Sequence, residues 1–137
     1  MRNVYRVTAV LLSIAVGLQV ASIALSGFTV AKDANDGAAI GADYTNFGQS
    51  FHSVEGMVIG LLALILLVVS FLTDVPRGRV LAGVIVGLVA LQFVLATVSF
   101  GLPALGVLHG LNGLAIGALG GTAAGRAAAP RQLATSA

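Results

Sequence analysis

The stretch GVLHGLNGLAIG, from Gly106 to Gly117, sets His109 and Asn112 one helical turn apart in an otherwise apolar run. A second histidine, His52, stands the same three residues ahead of Glu55 in FHSVEG. Imidazole is the commonest metal-ligating side chain. A polar or ionisable group inside a membrane segment is expensive and marks a site by default. Ligation of a metal or of a heme iron is therefore the chemistry to weigh, with Glu55 neutralised, hydrogen-bonded or facing water. Other chemistries lack their residues. With no cysteine there is neither a disulfide framework nor a thiolate site. No nucleophile–base pair, phosphate-binding loop or nucleotide fingerprint is present.

These histidines must be positioned by membrane helices. The chain of 137 residues is 58% hydrophobic and 9% charged, with mean hydropathy +1.02. A soluble domain has roughly 25% charged residues, so lipid surrounds most of this one. Its net charge of +2 is spread along the chain and forms no basic patch, which excludes a nucleic-acid partner. A spanning helix needs about 20 mostly apolar residues, and four windows qualify: 7–30, 51–73, 80–101 and 104–124. The expected fold is all-α, an integral-membrane up-down four-helix bundle in one domain. It has an outer loop over 31–50 and a tail over 125–137. The first apolar run is about twice as long as the roughly 7–15 residues of a signal peptide, and reads as a retained helix. No internal repeat or low-complexity block stands out apart from the Ala-rich tail, and a transporter is disfavoured without an inverted repeat.

Arg2, Arg6, Arg77, Arg79, Arg126 and Arg131 fall on one side if all four helices span, and Lys32, Asp33, Asp36 and Asp43 on the other. The positive-inside rule then puts both termini in the cytoplasm of a bacterium, with the bundle multi-pass in its plasma membrane. His52, Glu55, His109, Asn112, Gln19 and Gln92 all gather in the outer half. Helices 2 and 4 should occupy diagonal corners, about 11–14 Å apart for neighbours at 8–10 Å. Two inward imidazoles across that gap leave room for a porphyrin. Gly56, Gly60 and Ala63 lie below His52, and Gly106, Gly110, Gly113, Gly117 and Gly121 flank His109. They either open space beside the histidines or let helix backbones approach closely in lipid.

From Phe51 onward, FHSVEGMVIGLLALILL, a short basic loop and LQFVLATVSFGLPALGVLHGLNGLAIGAL resemble one four-helix half of the heme A synthase family. Small uncharacterised actinobacterial membrane proteins with four helices are also similar. The shared features are Gln92, Leu95, the Leu102–Pro103 turn and His109, over about 75 residues. The resemblance implies that His52 and His109 are heme axial ligands. Where the synthase has a catalytically important glutamate, three residues before the first histidine, this chain has Gln49, and Ser53 replaces a basic residue. Heme A synthesis is therefore not expected.

Three functions remain open. The first is a b-type cytochrome-like protein holding heme b for electron transfer or heme handling. In it His52 and His109 bind iron, Glu55, Asn112, Gly56, Gly113 and Gln92 line the site, and Gln19, Gln92, Thr97 and Ser99 are candidates to orient the imidazoles. The second is a structural or accessory subunit of a larger membrane complex, without cofactor. The third is a non-heme metal site built on His52, Glu55, His109 and Asn112.

Overall fold

A computed structural model describes residues 1–130 as four helices. They are α1 (Arg2–Asn35), α2 (Phe47–Ser70), α3 (Gly78–Ser99) and α4 (Leu105–Ala128). No strand occurs among the described residues. Each helix is long and apolar enough to cross a membrane. Large apolar side chains such as Val7, Leu64, Val94 and Leu111 are exposed on the outside, as lipid-facing residues are. The chain is a small multi-pass membrane protein, as expected.

The helices overrun their apolar windows where local chemistry allows. α1 starts five residues early and ends five late. Lys32 and Asp36 pair at 2.6 Å one turn apart there, and Gly37, at φ +88°, follows the end of the helix. α2 begins four residues before the expected Phe51. The Asn46 side chain accepts from the Gln49 backbone N–H at 3.0 Å, and the Gln49 side chain accepts from the Asn46 N–H at 3.0 Å. That reciprocal capping box satisfies two amides that a helix start leaves orphaned. It also gives Gln49 a structural role. α4 continues through the Ala-rich stretch to Ala128, four residues beyond the expected end, because alanine is the best helix former. Arg131 and the rest of the expected tail lie outside the described residues.

α1 packs on α2 and α4, and α3 packs on the same two. The pairs α1/α3 and α2/α4 are therefore diagonal, and no Cα of one comes within 8 Å of the other. The two ends of this bundle differ. Every buried apolar side chain lies at or on the termini side of the level marked by Val16, Ile59, Val89 and Ile116. Tyr5, Leu12, Leu66 and Ile85 are sealed there, and the Tyr5 hydroxyl donates to the Gly78 carbonyl at 3.0 Å. On the loop side of that level, only Ser22, Ser26, Gly48 and Glu55 are buried among the described residues.

Two glycines set the closest approaches. A Cβ on Gly120 would stand 2.6 Å from Ser13 Oγ and 2.9 Å from Leu12 Cδ2. One on Gly48 would stand 2.5 Å from the Ser22 carbonyl. At the termini end Arg2 reaches across to α4. Its guanidinium donates to the carbonyls of Ala127 (2.9 Å), Arg126 (3.2 Å) and Ala129 (2.6 Å), and lies 3.9 Å from Asp74. Those carbonyls belong to the helix end that has no intrahelical donors and carries partial negative charge.

Candidate functional site

The early start of α2 changes the depth of His52. Expected at the very end of its helix, it stands five residues in, with His109 four residues into α4. At 1.5 Å per residue both are roughly 6–8 Å below the loop end of the bundle. Their rings meet across the diagonal, with centroids 6.2 Å apart and planes inclined at 52°.

Each imidazole is held by the neighbouring helix of its own hairpin in the same way. His52 Nδ1 lies 3.2 Å from the Gln19 backbone carbonyl, and the Gln19 amide donates to the His52 carbonyl at 2.6 Å. His109 Nδ1 lies 3.2 Å from the Gln92 carbonyl, and the Gln92 amide donates to the His109 carbonyl at 3.0 Å. A carbonyl oxygen only accepts, so Nδ1 carries the proton in both rings. The lone pair is then on Nε2 in both, the tautomer that metal-binding histidines commonly have. Gln19 and Gln92 therefore orient the rings through their backbone carbonyls. Thr97 and Ser99, also considered for that task, bond Phe93 and Leu95 of their own helix instead.

This matched pairing exposes a repeat that a linear reading passes over. Shifting α1 by 73 residues carries Gln19 onto Gln92. The buried residues Tyr5, Thr8, Ala9, Leu12 and Val16 then fall on the buried Gly78, Leu81, Ala82, Ile85 and Val89. Shifting α2 by 57 carries His52 onto His109, and Ile59, Ala63, Leu66 and Ser70 onto Ile116, Gly120, Ala123 and Ala127, all buried. HSVEGMVIGLL and HGLNGLAIGAL align residue for residue. The bundle is thus two similar hairpins, α1–α2 and α3–α4, running in the same direction.

The repeat breaks at one site residue, where Glu55 of α2 faces Asn112 of α4 in the alignment. Asn112 donates to the Leu88 carbonyl at 2.9 Å and to the Gln92 side-chain oxygen at 2.5 Å. With its oxygen so engaged, the Gln92 amide nitrogen turns to His109 and sits 3.2 Å from Nε2. Glu55 can only accept when ionised, and the nearby Gln19 amide donates to the His52 carbonyl. Glu55 Oε2 is buried with no hydrogen-bond partner. His52 Nε2 makes no hydrogen bond among the described residues, and Ser22 Oγ adds only a long 3.5 Å approach to Nδ1.

The glycines divide by depth. Gly117 and Gly120 press on Val16, Leu12 and Ser13 of α1, the close-approach role. Gly56 and Gly113 sit instead beside the Gln19 and Gln92 amides, where a Cβ would stand 3.9 and 3.2 Å from Nε2. Around Gly106 and Gly110 a Cβ would meet nothing within 4 Å, so neither sets a close helix approach.

A metal–imidazole bond is about 2 Å long, and a ring centroid lies about 1 Å behind its nitrogen. Two imidazoles on opposite sides of one metal ion thus have centroids about 6 Å apart by that bond length, close to the spacing here. A metal held by side chains alone needs more donors. Among the described residues no three His, Asp or Glu side chains come together to supply them.

Residues 39–98, from the long loop through nearly all of α3, match a family of unknown function (DUF6220). No curated protein matches the chain. No solved structure matches it either.

Proposed function

We propose that this chain is a small b-type cytochrome-like membrane protein that binds heme b between α2 and α4, where His52 and His109 would hold its iron. The observation that carries the reading is the imidazole pair at 6.2 Å, with both Nδ1 atoms turned onto backbone carbonyls. Ligand number favours heme over a bare ion. A porphyrin supplies four nitrogens of its own, so two histidines complete six-coordination, whereas a non-heme ion would lack donors. The loop half, free of buried apolar side chains, supports the same reading. The resemblance to one half of the heme A synthases agrees with it.

When bound, heme supplies one-electron chemistry between its ferrous and ferric states. The protein's share is to hold two neutral imidazoles at fixed orientation through Gln19 and Gln92, and to shield them in lipid. Glu55 and Asn112 set the polarity beside the pair. With the arginines inside, the site lies near the outer leaflet of a bacterial plasma membrane, and the termini are cytoplasmic. Electron transfer to a redox partner, or heme handling within a larger complex, follows from that position.

An accessory subunit without cofactor is the second reading. It is favoured by the Gln92 amide, which satisfies His109 Nε2 with no outside ligand. A reduced-minus-oxidised spectrum of protein purified from heme-replete cells separates the two. The expected result is a low-spin b-type spectrum, with all heme lost in the double variant His52→Ala/His109→Ala. A colourless, folded protein would leave the accessory reading standing.

A further inference from the structure

The two histidines of the repeat are held alike at Nδ1 but differ at Nε2, the nitrogen that would bind a metal. His52 Nε2 makes no hydrogen bond among the described residues. His109 Nε2 faces the Gln92 amide nitrogen at 3.2 Å. The hairpins differ beside this nitrogen at Glu55 and Asn112. Asn112 donates to the Gln92 oxygen and turns the amide's N–H groups toward His109. In the other hairpin the Gln19 amide donates to the His52 carbonyl at 2.6 Å and makes no bond to Nε2. An imidazole whose lone pair accepts an internal hydrogen bond must break it before it can bind anything else. One whose lone pair is open has nothing to break.

We infer that the pair is unequal: His52 is the anchoring ligand and His109 the exchangeable one, held back by the Gln92–Asn112 clamp. A small neutral external ligand of the ferrous state, such as carbon monoxide, therefore competes with His109 and not with His52. Gln92 and Asn112 are positioning residues that set how readily this happens. The inference rests on the heme reading above and adds to it an order of binding and a side for ligand entry.

The test is a heme titration of purified wild type, His52→Ala and His109→Ala in detergent, followed by carbon monoxide titration of the ferrous forms. His109→Ala is expected to keep one heme in a high-spin state. His52→Ala is expected to bind heme at least tenfold more weakly than His109→Ala. Gln92→Leu keeps the backbone carbonyl that orients His109 and removes its competitor. It should bind carbon monoxide roughly fivefold more weakly than wild type, the scale of one neutral hydrogen bond. Asn112→Ala, which frees the Gln92 amide to turn away, should shift the affinity in the same direction and guards against a misfolded Gln92 variant. Thr97→Val, whose hydroxyl serves only its own helix, should leave it unchanged.

A coloured wild type whose two single-histidine variants lose heme alike would overturn the inequality and leave the heme reading intact. So would carbon monoxide affinity indifferent to both Gln92→Leu and Asn112→Ala. A colourless wild type would overturn the heme reading and the inference together.

Discussion

The termini half and the loop half of this bundle are built from the same four helices and solve opposite problems. In the termini half, Leu12, Leu66, Ile85 and Ile116 fill the interior, and Gly120 lets α4 lie close against α1. In the loop half the interior is lined by Gln19, His52, Glu55, Gln92, His109 and Asn112, bonded mainly to backbone carbonyls and to one another. Lipid gives apolar side chains little reason to prefer the interior, so helix association depends on van der Waals fit and on buried hydrogen bonds. One half uses the first and the other the second. The packed half leaves little unmet, whereas the polar network keeps one buried oxygen, of Glu55, without a partner. The comparison teaches that one fold can be held by packing at one end and by hydrogen bonds at the other.

The sharpest way to break this comparison is to weaken the packed end. Leu66→Ala, at a side chain with no exposure, should cost about 2–5 kcal/mol through lost contacts and a cavity, read from reversible unfolding in mixed micelles. An effect below that of any loop-half variant would end the division of roles. In the loop half, removing an imperfection should do the reverse. Glu55→Gln replaces an ionisable carboxyl that has one unpartnered buried oxygen. It should leave stability unchanged or raise it by about 1 kcal/mol; a loss of that size would show that Glu55 is satisfied in a way the comparison omits. The cap that sets the depth of His52 is next. Asn46→Ala should cost about 1 kcal/mol and increase amide exchange in residues 47–50, with the termini half unaffected.

The smallest effect concerns the long loop. Tyr44 donates to an Asp33 carboxylate oxygen at 2.7 Å, and that hydrogen bond raises the phenol above its ordinary value. A raised folded-state value means that the contact's contribution is whole below the ordinary tyrosine range near 10. It is lost as pH rises through the raised value. Ultraviolet titration should therefore show Tyr44 ionising later than a free tyrosine, and Asp33→Asn should return it toward the ordinary value. No change in that variant would remove the contact from the account.

Much of the fold was legible in residue pattern, and less of the site. Four apolar windows, a Pro103 turn and a short basic loop suffice to expect four helices with α2 and α4 on a diagonal. Helix ends were less legible because Lys32, Asp36, Asn46 and Gln49 look like loop residues by polarity while their pairings prolong or start helices. The two histidines stood out because imidazole is rare in apolar runs. What holds them did not, since the Gln19 and Gln92 carbonyls are backbone atoms and every residue has one. The repeat was hidden by unequal spacing: α1 and α2 are separated by a loop over 36–46, α3 and α4 by a short turn, so no single offset aligns both helices. Comparing Gln19 with Gln92 and His52 with His109 separately would have found it, and with it the Glu55–Asn112 difference.

The Arg2 clasp bears on how such a protein is made. Its acceptors, the carbonyls of Arg126, Ala127 and Ala129, are more than 120 residues downstream in the chain. As synthesis proceeds, α1 and α2 precede α4, and one face of α1, the strip of Leu12, Ser13 and Val16 that meets Gly117 and Gly120, has no helix to rest on until α4 is made. That strip stays against lipid or a membrane chaperone until α4 arrives and its end is gripped by the second residue. A chain that stops before Ala129 therefore lacks part of the latch, and one that lacks His109 has no histidine pair.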